Sequence, residues 1–198
     1  MGNNKPGNLK FSLFWGTVAF FTAVFFTFFS EIVLPKLQFL MLSFSFLLLV
    51  IITGIAFDMI GVATAIAREK PFHAKAAKKV KGAAHSIMIV RHADKVATFC
   101  NDVVGDICGT VSGALGAAII FQIVAGKIYL NKYESILSMV MTGLVAAITV
   151  GGKAAGKRTA MQDSDQIVFA VGRALTWIED MTGLNLLFFR RRSREKRR

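Results

Sequence analysis

The chain has 198 residues, of which 54% are hydrophobic, and carries 24 Lys and Arg against 12 Asp and Glu for a net charge of +12. A water-soluble domain of this size would alternate apolar and polar positions, whereas here the apolar residues are pooled into long blocks, which excludes that class. No nucleophile motif, phosphate loop or zinc signature occurs, so the sequence does not read as an enzyme.

The first block, Phe11–Ser30, is uncharged. At 1.5 Å per residue it matches a hydrocarbon core of roughly 30 Å. Its basic start (Lys5, Lys10) suggests a secretion signal, but the block is too long and lacks a small-x-small cleavage site, which makes it a signal anchor. Pro6 stands where a myristoylation motif needs Ser or Thr. Leu37–Phe57 is a second uncharged block, and its apolar character runs past Asp58 to Ala67. Asp58, with Gly54 four residues before it and Gly61 three after, places an acid beside small residues on one helix face.

Next comes a basic segment. Arg68 to Lys95 holds eight Lys or Arg and two acids. Within it, Ala76, Val80, Ala83, Ile87 and Val90 recur at helical spacing, which predicts one amphipathic helix over 72–96 starting after Pro71. His85 and His92, seven apart, share a face but have no carboxylate or cysteine at ligand spacing, and with His73 they read as surface residues.

FCNDVVGDICGTVSGALGAAI (99–119) leads into a third span, Ile107–Gly126. Gly105, Gly109 and Gly113, continued by Ala117, form a small-xxx-small ridge of the kind that lets helices approach closely in a membrane. At α-helical spacing Asn101, Asp102 and Asp106 share the face of that ridge, so they point toward protein or an aqueous cavity. With Asp58 they form a candidate site for a hard cation, since oxygen ligands suit magnesium, calcium or sodium. The alternative is that Asp102 and Asp106 lie near the helix N-terminus or pair with Lys95 or Arg91. Cys100 and Cys108, roughly 12 Å apart along one helix, are reduced packing residues.

Ser135–Gly152 is the fourth span. Ser164–Leu187 repeats the surface-helix pattern, with Ser164 as N-cap, Asp165 in the first turn and a stripe of Ile167, Val171, Leu175 and Ile178. Trp177, Phe188 and Phe189 suit an interfacial anchor. The tail RRRSREKRR (190–198), beginning with Arg190, Arg191 and Arg192, suits anionic lipid at roughly 1 kcal/mol per basic residue near the surface; no nucleic acid is expected. The loops 31–36 and 127–134 are short and nearly neutral. Positive segments stay in the cytoplasm, which puts both termini and the central basic segment on the cytoplasmic side of the cell membrane and the two short loops outside.

The order of features resembles the transmembrane domain of the CorB/CorC–cyclin M group of magnesium and divalent-cation transport proteins. GIAFDMIGVATA (54–65) corresponds to that group's "S-x-S-E-T-A-type" motif, with Asp58 in the acidic position and Phe57 in place of the Ser. HAKAAKKVKGAAHSIMIVRHADKVATFCNDVVGDICGTVSGALG (73–116) follows its Ala- and Lys-rich stretch leading to a "GAFG-type" turn, and the family's Asn positions fall on Gly105 and Gly109. GKAAGKRTAMQDSDQIVFAVGRALTWI (152–178) is similar to the stretch from "G-E-x-x-P-K" onward, with Lys153 on the Glu and Gly156 on the Pro. The likeness spans roughly residues 45–180. The nucleotide-responsive CBS-pair domain of the family has no counterpart in these residues.

The sequence therefore predicts an all-α integral membrane protein of about four transmembrane helices plus cytoplasmic-surface amphipathic helices. Its parts are a cytoplasmic N-terminus (1–10), an extra helix (11–30), a CorC/cyclin M-like domain (37–187) and the basic tail (188–198). The resemblance implies a homodimer that moves Mg2+, with no organic cofactor. The alternative is a non-transporting scaffold or regulatory subunit. Lys153 separates them: facing Asp58 or Asp106 it favours the scaffold, and reaching the cytoplasmic surface it favours transport.

Overall fold

The computed structural model describes residues 6–33, 40–125 and 131–183. Phe188, Phe189 and the Arg190–Arg192 tail lie outside the described residues. Every regular element among the described residues is helical: α1 (Pro6–Val33), α2 (Leu40–Ile66), α3 (Glu69–Ala77), α4 (Ala83–Arg91), α5 (Ala93–Thr98), a π-helix (Phe99–Gly105), α6 (Asp106–Val124), a 3-10 turn (Asn131–Tyr133), α7 (Glu134–Gln162) and α8 (Ser164–Thr182). Four stretches are long and apolar enough to cross a membrane: Phe11–Phe28, Leu40–Ile66, Ala93–Val124 and Glu134–Gln162. The fold is that of an all-α membrane protein, and the four expected blocks coincide with these helices.

Two compact units form. One comprises Met1–Asp58 with Phe99–Gly156, the other Met59–Thr98 with Lys157–Arg198. In the first, Leu47 and Ile51 of α2, Val103, Ile107, Val111, Leu115 and Ile119 along the π-helix and α6, and Val145 of α7 make one buried cluster. Trp15, Val18, Ala19 and Ala23 bring α1 onto it, and the Trp15 ring lies 6.4 Å from that of Phe99. In hydrocarbon such helices associate by van der Waals fit rather than by expulsion of water, so close approach decides the packing. Six hydroxyls within the spans are satisfied locally: Thr17, Thr22, Ser45, Thr53, Thr110 and Thr149 each donate to the carbonyl four residues back. That removes the cost of an unbonded donor in lipid.

The second unit has its own core of Ala63, Phe72, Ile89, Ala160 and Val168. Fully burying side chains the size of Phe72, Ile89 or Val168 stabilises a fold by roughly 1.5–3 kcal/mol each. The single helix expected over 72–96 is broken into α3, α4 and α5. Lys79, at φ +54, ends α3 as the left-handed residue of a Schellman turn, with Val80 N–H donating to Lys75 O and Lys79 N–H to Ala76 O. Gly82, at φ +91, then starts α4. The break turns Ala83, His85, Ser86 and Ile89 inward together, and α8 covers them. Helix α8 begins after Asp163 rather than capping with Ser164, and stops at Gly183, φ +67. Ile167, Val171 and Leu175 of its expected stripe pack on the core, but Ile178 stays exposed and Val168 and Gly172 are the buried positions.

Candidate functional site

Among the described residues of the first unit Asp58 is the deeply buried acid, 4% exposed in the C-terminal half of the apolar α2. A bare carboxylate there is expensive unless positive charge or donors attend it. Lys153 of α7 approaches the same backbone position, Gly105, as Asp58 does. Its Nζ donates to the carbonyl oxygen of Gly105 at 3.1 Å and lies 3.4 Å from Asp106 Oδ1. Gly105 is what admits it: a Cβ built there would stand 3.6 Å from Lys153 Nζ, 3.8 Å from Asp58 Oδ1 and 3.2 Å from the Cys100 carbonyl oxygen. One backbone position thus gathers an ammonium and a carboxylate from α7 and α2.

The approach of α2 to the α6 end of this seam depends on a second glycine. A Cβ at Gly54 would lie 2.7 Å from Cys108 Cβ. Cys100 and Cys108 are both buried and unbridged, as their spacing predicts. Gly152, beside Lys153, has the Ile55 side chain against it, so a Cβ there would overlap Ile55 Cδ1.

The structure redistributes the sequence candidates. Asp102 and Asp106 do not face into protein: Asp102 is exposed and the Asp106 side chain is 72% exposed. The reason is the π-helix over Phe99–Gly105, whose wider turn breaks the α-helical spacing on which the shared face rested. Asn101 Oδ1, by contrast, is buried and takes no hydrogen bond from any described residue. Of the glycine ridge only Gly105 makes a close approach. Gly109 and Gly113 have open space where a Cβ would be, while Gly54, Gly116 (against Val145) and Gly152 carry the tight packing. Among the described residues no three His, Cys, Asp or Glu side chains gather at one point. The groups that crowd the Gly105 position are the Asp58 carboxylate, the Cys100 carbonyl oxygen and the Lys153 ammonium, with Asp106 at the exposed edge.

One further sequence expectation is corrected. His85 is a buried residue, 3% exposed, although His73 and His92 are exposed as expected. Its partners lie some 90 residues further on, in α8.

No protein-family model, curated protein or solved structure matches this chain.

Proposed function

We propose that this chain is a multi-pass membrane protein of cation-transport type, built like the transmembrane domain of the CorB/CorC–cyclin M group, with a hard-cation site at Asp58, Asn101 and the Gly105 carbonyl. The observation that carries the reading is the Asp58 carboxylate buried in an apolar helix next to Gly105, whose carbonyl is a hard oxygen; the Lys153 ammonium on that carbonyl beside Asp106 weighs instead for the scaffold. Groups that hold an ammonium in hydrocarbon are oxygens of the kind that hold a hard metal ion. Mg2+ is the cargo that the family likeness implies. It enters by displacing a tethered cation, and alternating access around the seam of α2 and α6 carries it across. The π-helix supports this role, because such segments recur at functional sites. The positive segments put both termini on the cytoplasmic side, against anionic lipid, and the chain works as a homodimer.

The same lysine favours a second reading. An ammonium bonded to Gly105 and paired with Asp106 is a permanent counter-ion if nothing displaces it, and the chain is then a scaffold or regulatory subunit. Its position adds weight to this reading beyond what the sequence carries.

Uptake into proteoliposomes holding a magnesium-sensitive dye separates the two. Uptake by the wild type that Asp58→Asn abolishes, with the helices intact, establishes transport. Wild-type uptake no greater than that of empty liposomes, with sodium and calcium also tried, removes it in favour of the scaffold.

A further inference from the structure

Helix α8 is apolar on two opposite sides, and only one of them is covered. Val168 and Gly172 are buried on the side that meets α4, and Leu175 packs on the same core. At about 100° per residue, Ala170, Ala174, Trp177, Ile178 and Met181 fall within an arc of about 100° on the other side. All five are exposed, Trp177 by 63% and Met181 by 68%. Three residues of the expected stripe, Ile167, Val171 and Leu175, pack on the core. The outward face is therefore made by a different set, and an apolar patch of this kind marks a surface that something covers.

The turn between α3 and α4 borders this face. Lys81 Nζ lies 3.1 Å from Asp180 Oδ2, and a Cβ at Gly82 would stand 2.8 Å from the Arg173 backbone nitrogen. Arg173 and Asp180 lie roughly 40–60° to one side of Trp177 around the helix. The turn thus runs along one edge of the apolar arc, and its residues Lys78, Lys79, Val80 and Lys81 are all exposed. Lys81 matches Asp180, so Lys78, Lys79 and Arg173 leave this edge positive.

We propose that the outer arc of α8 and its basic edge form one surface that lies in the headgroup region of an anionic bilayer leaflet. A tryptophan beside aliphatic side chains with a cationic border is the composition of interfacial helices. Asp163 alone separates α8 from α7, which is long and apolar enough to cross a membrane, so the chain tethers α8 within reach of a bilayer. Beyond Gly183 the sequence runs through Leu186, Leu187, Phe188 and Phe189 into the basic stretch 190–198, which repeats the pairing of apolar and cationic groups. Docked in this way, α8 holds α4 with one side and lipid with the other. Such docking presupposes the multi-pass reading and owes nothing to the cation site.

Trp15 and Trp177 are the two tryptophans of the chain, so the difference between wild type and Trp177→Phe isolates the Trp177 emission. The full-length protein is placed in nanodiscs of phosphatidylcholine brominated near the headgroup end of its chains, with and without phosphatidylserine. Expected is quenching of Trp177 by the brominated chains that is stronger with phosphatidylserine and falls as salt screens the attraction. Ile178→Ser/Met181→Ser, at two exposed positions, is expected to lose most of that quenching and keep its helical circular dichroism. An unquenched Trp177 in the anionic discs overturns the proposal: if acrylamide reaches the ring the face is in water, and if it does not, a second copy or another protein covers it. Equal quenching in phosphatidylcholine alone, or quenching that the double variant retains in full, also overturns it. Trp15 of α1 is the internal reference in Trp177→Phe. Failure of the membrane reading leaves both rings unquenched, whereas failure of the docking surface leaves Trp177 alone unquenched.

Discussion

The Lys153 ammonium reaches across from α7 to the backbone carbonyl of Gly105, 3.1 Å away, and closes on Asp106 at 3.4 Å. The contact exists because residue 105 has no side chain in its path. An ion pair with an exposed carboxylate adds little, about 0–1 kcal/mol, whereas hydrogen bonds made by charged groups contribute roughly 1.5–3 kcal/mol. Lys153→Met is therefore expected to lower the stability of the membrane-spanning unit by about 1–3 kcal/mol, and Asp106→Asn by less than about 1. Unfolding titrations in mixed micelles measure both; an equal loss for the two variants contradicts the assignment.

Close helix approach is placed at Gly54 and not along the Gly109–Gly113 line. Gly54→Ala puts a methyl group 2.7 Å from Cys108 Cβ, and overpacking of this kind costs about 1–3 kcal/mol. Gly109→Ala and Gly113→Ala meet open space and gain helix propensity, roughly 0.5–1 kcal/mol. Thermal melts in detergent are expected to fall for the first variant and to hold or rise for the other two.

How much of this was legible beforehand varies by element. The four long helices were plain, because in each an apolar block of bilayer length announces itself without reference to its neighbours. The site was legible only in part. Asp58 and Lys153 could be singled out, since a charge inside an apolar run is conspicuous and the family likeness set Lys153 on an acidic position. The face of Asn101, Asp102 and Asp106 was not, because a π-helix leaves no periodic mark and shifts every residue after it. The glycine ridge was a regular pattern with little to touch, while Gly54, Gly116 and Gly152 owe their tightness to side chains some 30 to 100 residues away. His85 was hidden likewise: only α8, folded onto α4, makes it a buried residue.

The left-handed turn after α3 is occupied by lysine. Lys79 sits at φ +54, where a side chain costs about 1–2 kcal/mol relative to glycine. Lys79→Gly recovers part of that, offset by glycine's greater freedom when unfolded. A gain of about 0.5–1 kcal/mol in the stability of the α3–α4 unit is expected. Calorimetry that finds a loss instead contradicts the turn assignment.

Glu69 gives the second unit an acid limit. The hydrogen bond from His73, aided by Arg91, holds its carboxyl below the ordinary value of 4.5. A depressed carboxyl contributes stability that is present above 4.5 and lost as the pH falls through the folded value. Because the group is largely exposed, the effect is small, under about 1 kcal/mol. The α3–α4 contact in the wild type is expected to weaken below pH 4.5 relative to Glu69→Gln, whose own profile lacks that step; circular dichroism across an acid titration reads it.

The central claim is that the Lys153 ammonium stands where a hard cation binds, beside Asp58. The most direct measurement is magnesium binding to the purified protein in nanodiscs, followed by calorimetry for the wild type, Lys153→Met and the double variant Lys153→Met/Asp58→Asn. Removing the tethered charge is expected to tighten binding by about tenfold or more, equivalent to about 1.4 kcal/mol, and the second substitution to abolish the gain. Equal affinity in the wild type and Lys153→Met, or a gain that survives the loss of Asp58, would contradict the account.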